Sequence, residues 1–169
     1  MSIYTETRFL PYAPAQLFQL VAEVDRYPEF LPWCLAARIR SSDRGEPEQT
    51  LVVADLVIGF QMIRERFRSC VTLRPPQRID ITYVEGPFRY LESRWTFDPV
   101  AASAKRPVGG TMLTFQIEFE FRAKLLQSLM AALFDKAARR MVTAFEGRAK
   151  RLYGARRLPA RAASAAAVA

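Results

Sequence analysis

The chain has 169 residues, with 25 Lys or Arg against 17 Asp or Glu, and so carries a formal net charge of +8. Half of the residues are hydrophobic and 12% are aromatic, which excludes a disordered, collagen-like or disulfide-stapled chain and predicts one domain with a sizeable core. The chain contains no histidine. Ser-His-Asp and Cys-His catalysis and zinc sites with histidine ligands are therefore excluded.

The two cysteines, Cys34 and Cys70, are too few and too far apart in sequence for a metal site. We expect structural thiols in a reducing compartment and no metal. The N-terminus lacks the basic region and apolar run of a signal peptide, and no apolar stretch approaches the roughly 20 residues of a spanning helix. We therefore expect a soluble cytoplasmic protein, and peripheral contact with the inner face of the membrane stays open.

The positive charge is concentrated at the C-terminal end. Residues 1–121 hold 14 basic and 15 acidic residues, a net charge of −1, whereas residues 122–169 hold 11 basic and two acidic residues, a net charge of +9. Such asymmetry indicates a contact with anionic lipid or nucleic acid, although a solvated helix face would give the same pattern.

The first third of the chain predicts one strand followed by short helices. Residues 4–9 alternate and read as a strand. Pro14 opens a short helix with Leu17, Phe18 and Val21 at helical spacing. The segment DRYPEFLPWC (residues 25–34) contains two prolines and reads as a packed helical turn or loop.

Residues 35–121 predict a succession of strands and turns. A turn is expected at residues 41–45 and a bend or bulge at Gly59, with a flexible loop over residues 99–110. The predicted strands cover residues 50–58, 63–73, 78–84, 88–97 and 111–121. Residues 50–58 are strongly apolar, whereas 63–73, 78–84 and 111–121 alternate with period two, one face inward and one in water.

Residues 123–153 change to helical periodicity and predict a helix about 45 Å long that ends at Gly154. Its polar side carries the candidate residues for docking on an anionic surface: Lys136, Arg139, Arg140, Lys150 and Arg151. The Ala- and Arg-rich tail, residues 155–169, is expected to be disordered.

This order predicts an α+β fold, in which a curved antiparallel sheet wraps around one long C-terminal helix and two short helices follow the first strand. Such an arrangement leaves a cavity between the helix and the sheet, where an apolar ligand can bind. We expect the domain to span residues 1–154.

Three segments carry a resemblance to a known family: DRYPEFLPWC (25–34), EGPFRYLESRWTF (85–97) and residues 119–154. Together they resemble the coenzyme Q-binding START-like family of the polyketide cyclase/START superfamily, which also includes a bacterial ribosome-association toxin. The resemblance covers roughly residues 3–154. It implies the helix-grip fold and non-catalytic binding of ubiquinone in support of respiratory electron transport, with no covalent cofactor.

A polyprenyl quinone needs a long apolar cavity and only one or two polar groups for its ring oxygens. The inward faces of the strands and the apolar stripe of the helix predict that cavity, and ordinary core packing is the alternative for each residue. The stripe comprises Leu126, Leu129, Met130, Leu133, Phe134, Ala137, Met141 and Phe145. The candidate lining residues are Phe30, Leu31, Trp33, Glu65, Phe67, Val71, Ile81, Tyr83, Trp95, Phe97, Phe115, Ile117, Phe119, Leu126, Met130, Leu133, Phe134, Ala137 and Met141.

Two polar candidates stand out on otherwise apolar strand faces. Glu65 either lies near a ligand head group or cavity mouth, or reaches solvent or pairs with an arginine. Tyr83 either donates its hydroxyl to a quinone oxygen or is a core tyrosine bonded to backbone. The aromatic residues of the 25–34 segment form either a lid or membrane-touching lip, or an anchor for the short helices.

Three functions compete at this point. The first is a quinone carrier or chaperone whose basic helix meets anionic lipid. The second is a ribosome-binding protein that blocks subunit association, in which the basic segment meets RNA phosphates of the large subunit. The third is a cyclase-like enzyme, disfavoured because the chain lacks histidine and an organised acid–base pair.

Overall fold

The computed structural model describes residues 2–45 and 48–154. The elements, in chain order, are β1 (Ser2–Leu10), α1 (Pro14–Ala22), a 3-10 helix (Val24–Glu29), β2 (Cys34–Arg44), β3 (Thr50–Phe60), β4 (Ile63–Arg74), β5 (Arg78–Glu85), β6 (Phe88–Val100), β7 (Gly110–Phe121) and α2 (Lys124–Tyr153). The predicted disordered tail, residues 155–169, lies outside the described residues.

The seven strands form one antiparallel sheet in the order β1-β7-β6-β5-β4-β3-β2. Strands β2 to β7 are joined in sequence as hairpins, and the connection from β1 to β2 carries the two short helices across the end of the sheet. Helix α2 follows β7 and packs on α1, β1 and β7. The predicted α+β architecture, a curved sheet with one long C-terminal helix, is confirmed.

Local sequence explains the short helices. Pro14 occupies the first turn of α1, where its missing N–H costs nothing, and the apolar side of α1 is buried. The backbone N–H of Ala13 donates to Oε1 of Gln16 at 3.0 Å and so caps the helix. In the 3-10 helix the buried hydroxyl of Tyr27 donates to the carbonyl of Val21 at 2.5 Å, and burial raises the pKa of that hydroxyl. The first part of DRYPEFLPWC is thus a packed helical turn.

The predicted turn at residues 41–45 is wrong, because β2 continues through it to Arg44. These residues pair with β3, from Ser41 opposite Val53 to Arg44 opposite Thr50, after a register shift that follows Ile39. Pairing along the edge of the sheet outweighs the local turn preference of Ser and Asp. The predicted bend or bulge at Gly59 is likewise wrong, because Gly59 continues β3 in unbroken register with β4 and its N–H donates to the carbonyl of Trp33 at 2.8 Å.

Helix α2 spans 30 residues and ends at Gly154, whose φ of 74° is readily adopted only by glycine, as the sequence predicts. Its C-terminal half is anchored: the hydroxyl of Tyr12 donates to the carbonyl of Gly154 at 3.0 Å, and Arg8 bonds Glu146 at 2.6 Å. The buried side of α2 is formed by Ala138, Val142, Phe145 and Ala149. This side is rotated from the predicted stripe, and Leu129 is consequently 47% exposed.

Candidate functional site

A cavity lies between the concave face of the sheet and α2. Its walls come from the 3-10 helix, the segment that leads into β2, strands β2 to β7, and α2. The wall is almost entirely hydrocarbon and aromatic, and among the described residues that line it only Glu65 carries a charge. A cavity of this composition suits a large apolar ligand.

Strand alternation builds the wall of the cavity. On β4 the residues at odd positions from Ile63 to Val71 face inward, and on β7 Phe115, Ile117 and Phe119 do the same. Aromatic side chains interlock across these strands, with the ring of Trp95 4.4 Å from that of Phe115 between centroids. The period-two pattern of the sequence is therefore the cause of the apolar concave face.

Most of the candidate residues chosen from sequence come together along this cavity. Fourteen of them line it: Leu31, Trp33, Glu65, Phe67, Val71, Ile81, Trp95, Phe115, Ile117, Phe119, Met130, Phe134, Ala137 and Met141.

Two aromatic candidates lie outside the lining because other elements cover them. Phe97 is buried beneath α1, with its ring 5.6 Å from that of Phe18. Phe30 packs on Phe145 at 5.0 Å, and the guanidinium of Arg148 stands over its other side at 5.3 Å. Both residues therefore serve packing between α1, the 3-10 helix and α2.

Three further candidates lie beside the cavity. Tyr83 packs behind Phe88, at 5.7 Å between ring centroids, and its hydroxyl is buried without a hydrogen-bond partner among the described residues. Leu126 packs against the aromatic cluster around Phe88. Leu133 immediately precedes Phe134, and the helical rotation of about 100° per residue turns it away from the cavity.

Sequence reasoning missed several lining residues. The 3-10 helix contributes Val24 and Tyr27, for which the sequence carried no periodic signal. Ser69 and Ser93 were detectable, because both occupy inward positions of alternating strands. Further residues absent from the candidate set are Cys34, Leu56, Ile58, Gly59, Phe60, Ile63, Phe88, Leu91, Phe121, Ala138 and Phe145.

The polar groups of the cavity are few and lie on the sheet side. Glu65 and Ser69 belong to β4, and Ser93 belongs to β6. Both serines are buried, at 1% and 8% exposure. Within the described parts of the chain no side chain forms an ion pair or hydrogen bond with the carboxylate of Glu65. These groups can hydrogen-bond a ligand without first breaking a bond within the protein.

The tip of the β3–β4 hairpin lies beside the cavity. Phe60 and Ile63, on either side of the hairpin tip, both line the cavity, and Met62 between them is 98% exposed. Trp33 lines the cavity next to this edge, since the carbonyl of Trp33 bonds the N–H of Gly59. An exposed apolar tip beside an apolar cavity is typical of a site where a hydrophobic ligand binds.

The basic residues predicted to dock on an anionic surface are all exposed on α2. Three of them form one wall of a shallow groove whose other wall contains Phe30 and Pro32: Lys136, Arg139 and Arg140. Lys150 and Arg151 lie in the last turn of the helix. Arg139 also lies beside the hydroxyl of Tyr4, whose pKa burial and the Glu6 carboxylate raise to about 12.

The convex face of the sheet carries paired charges instead. Asp55, on β3, accepts from Nε of Arg68 at 2.7 Å and from Arg66 at 3.1 Å, and forms an ion pair with Nε of Arg40 at 2.9 Å. The bond from Arg68 is the main reason why the pKa of Asp55 is lowered to about 2, although partial burial opposes it. Asp80 is bonded in the same way by Arg74, Arg78 and Arg94.

Comparison with known proteins places the chain in a family. A family model described as "Polyketide cyclase / dehydrase and lipid transport" matches residues 10–146. The chain belongs to this family. It is 38% identical over 154 residues to the ribosome association toxin RatA of Rickettsia prowazekii, a match that covers 89% of this chain and 97% of the toxin.

A second kind of relative has a different name. The chain is 33% identical over 162 residues to the mitochondrial coenzyme Q-binding protein COQ10 homolog B of Xenopus laevis, a match that covers 95% of this chain and 63% of that protein. The resemblance found in the sequence is therefore confirmed for the family, and the relatives include both a toxin and a coenzyme Q-binding protein.

Solved structures share the fold. The solution structure of the 18 kDa protein CC1736 from Caulobacter crescentus matches with a TM-score of 0.73 and 36% identity, over 92% of this chain and all of that chain. An aromatase/cyclase, Zhui from Streptomyces sp. R1128, matches with a TM-score of 0.74 but 15% identity, over 90% of this chain and 95% of that chain. The latter likeness concerns the fold alone. No helix in residues 2–45 and 48–154 is long and apolar enough to cross a membrane.

Proposed function

We propose that the protein binds ubiquinone or a similar polyprenyl lipid in the cavity, without catalysis, and that this binding supports the use of quinone in respiratory electron transport. One observation carries the proposal: the apolar cavity that Trp95, Phe119 and Met141 line between α2 and the sheet, in which Glu65 is the one charged side chain among the described lining residues. The similarity to a coenzyme Q-binding protein over nearly the whole chain supports the same ligand class.

The energetics of such a ligand favour this cavity. Burial of hydrocarbon contributes about 0.8 kcal/mol per CH₂, so one five-carbon isoprenoid unit contributes on the order of 4 kcal/mol. Two buried units therefore supply roughly the free energy of micromolar binding before the costs of association are subtracted. Met130 and Met141 suit an irregular chain because thioether side chains adapt their shape.

The same wall argues against catalysis. General acid–base chemistry needs titratable groups placed against the reacting atoms. Glu65 is the one carboxylate among the described lining residues, and the chain has no histidine. The lining thiol, Cys34, has a pKa raised to about 11 by burial, which opposes thiolate formation. The aromatase/cyclase structures Zhui, StfQ and BexL share only 15%, 11% and 16% identity with the chain.

The basic side of α2 supports transient contact with the inner face of a membrane. Lys136 and Arg140 lie in a groove beside Phe30 and Pro32, next to the segment that reaches the cavity at Leu31 and Trp33. Each well-placed cation near an anionic bilayer contributes on the order of 1 kcal/mol. A ligand taken from the bilayer would then have a short route into the cavity.

Ribosome binding that blocks subunit association is the second candidate, and one observation favours it. Relatives named ribosome association toxin RatA reach 38% and 35% identity, from Rickettsia prowazekii and Pseudomonas aeruginosa. In this case the net charge of +9 in residues 122–169 would contact phosphates of large-subunit RNA. Many aromatic side chains line the cavity, and Phe30, which lies in the basic groove, is already packed on Phe145, so base stacking would contribute little.

Tryptophan fluorescence offers a direct test of the proposed function. The chain has two tryptophans, and both, Trp33 and Trp95, line the cavity. Titration of the full-length protein with a short-chain ubiquinone analogue should quench this emission saturably, and Trp95→Phe should remove much of the quenched signal. Lack of saturable quenching, together with co-sedimentation of the protein with large ribosomal subunits, would support the second candidate and contradict the first.

A further inference from the structure

The carboxylate of Glu65 is an unusual feature in a cavity built for an apolar ligand. Glu65 stands on the inward face of β4 between Ile63 and Phe67, and all three residues line the cavity. Its neighbour across the sheet is Ile58, another lining residue, so this part of the wall offers it no polar partner. Glu65 therefore faces the ligand space with its hydrogen-bonding capacity unused.

The arginines next to Glu65 in sequence do not neutralise it. Strand alternation sends Arg64 and Arg66 to the convex face, where both are exposed and Arg66 bonds Asp55 at 3.1 Å. Arg68 belongs to the same convex network, bonding Asp55 at 2.7 Å. The alternative that Glu65 pairs with an arginine is not observed among the described residues.

The chemistry of a carboxylate distinguishes two forms of a quinone ligand. A carboxylate accepts hydrogen bonds and donates none. The ring of an oxidised quinone carries carbonyl and ether oxygens, which also only accept, so a buried contact with Glu65 would leave both partners unsatisfied. The reduced quinol carries two hydroxyl groups, and each can donate to a carboxylate in a short, charge-assisted bond.

The two serine hydroxyls of the cavity do not distinguish the oxidised from the reduced ring. The hydroxyls of Ser69 and Ser93 can donate or accept and so fit either form of the ring. Phe67 lies between Glu65 and Ser69 on the same face of β4, about 6.6 Å from each along the strand, and offers an aromatic surface for the ring. Glu65 is thus the group that can discriminate between the quinol and the quinone.

We propose that the cavity binds the reduced, hydroxyl-bearing form of its prenylated ring ligand in preference to the oxidised quinone, because Glu65 accepts a hydrogen bond from a ring hydroxyl. The inference rests on the proposed function and deepens it by assigning the redox form. A hydrogen bond to a charged acceptor that only one of two ligands can make corresponds to roughly ten- to hundred-fold in affinity.

Calorimetric titration of the full-length protein with decylubiquinol and decylubiquinone, under anaerobic conditions, tests this preference. We expect the wild type to bind the quinol at least ten-fold more tightly, and Glu65→Gln to lose that difference, because an amide donates as well as accepts. The matched control is Glu92→Gln, a change on the exposed side of β6 that should keep the wild-type ratio.

The outcomes separate the two claims. Equal affinity of the wild type for both forms would overturn the preference, and an unchanged ratio in Glu65→Gln would overturn its assignment to Glu65. Either result leaves the cavity's ligand class intact. Binding of neither form by the wild type would overturn the proposed function together with this inference. The wild-type ratio needs no variant, so the preference stays testable even if Glu65→Gln were to fold poorly.

Discussion

Met130→Arg is the change that should separate ligand binding from folding most cleanly. Met130 is half-buried in the second turn of α2, where it lines the cavity and packs against the aromatic cluster around Phe88. Because the residue is not fully enclosed, an arginine can lie along the wall and carry its guanidinium towards solvent. We therefore expect the fold to persist while the space for the ligand is reduced.

The magnitude follows from the hydrocarbon that the arginine displaces. If it excludes one isoprenoid unit, five carbons at about 0.8 kcal/mol each represent on the order of 4 kcal/mol, or roughly 1000-fold in affinity. A charge near the remaining apolar wall would only add to this loss. The matched control is Leu129→Arg, since Leu129 is the preceding residue, is already 47% exposed and does not line the cavity.

The assay is saturation of tryptophan quenching by a prenyl quinone, with urea unfolding measured in parallel. We expect Met130→Arg to lose saturable quenching with little change in the free energy of unfolding, and Leu129→Arg to behave as the wild type. Retention of wild-type affinity by Met130→Arg would refute the assignment of this side of α2 to the ligand.

Three further predictions concern stability and docking. Gly86→Ala should destabilise the protein by about 1–3 kcal/mol in urea unfolding, because Gly86 has a φ of 139° and an added Cβ would lie 2.7 Å from a β4 side chain. Gly147→Ala, on an open helix surface, should instead stabilise the protein by about 0.5–1 kcal/mol. Asp55→Asn should lower the free energy of unfolding by about 1–2 kcal/mol near neutral pH, after allowance for solvent screening of the partly exposed arginines. The difference from wild type should shrink as pH falls from about 4 to 2, because a carboxyl group with a lowered pKa contributes stability only while it is ionised. The double variant Lys136→Glu/Arg140→Glu should weaken binding to vesicles with anionic lipid by roughly 30-fold or more in a flotation assay at low salt.

Each of these predictions has a result that would count against it. Equal stability changes for the two glycine variants would show that the positive φ of Gly86 and the lack of space for a Cβ there do not determine stability. A pH-independent effect of Asp55→Asn would contradict the role of its ionised form. For docking, Lys105→Glu on the exposed 101–109 loop is the control, and an equal loss there would indicate a general charge effect instead of a surface on α2.

Much of the fold could be predicted from the sequence because apolar and polar residues alternate along its strands. On β7 the alternation of Phe115, Ile117 and Phe119 with polar residues predicts the buried face that the structure has. The end of α2 at Gly154 was equally accessible, since glycine readily adopts the positive φ of a helix stop. Local chemistry decides these features, and local patterns reveal them.

Other features depend on contacts that no local pattern contains. Residues 41–44 have turn chemistry but form strand because β3 pairs with them. The buried side of α2 is fixed by Ala138, Val142 and Ala149, small residues that let the helix approach its neighbours, and this rotates Leu129 outward. Phe97 reads as a cavity residue on its strand, yet α1 covers it. Long-range packing decides these positions.

Extraction of the purified full-length protein with organic solvent, followed by mass spectrometry, shows whether the cavity holds a prenylated ring compound. We expect a prenyl quinone or quinol at near-stoichiometric amounts from the wild type and from Leu129→Arg, and almost none from Met130→Arg. Absence of any prenylated ring compound from the wild type, with the protein recovered on large ribosomal subunits, would rule out the proposed quinone binding.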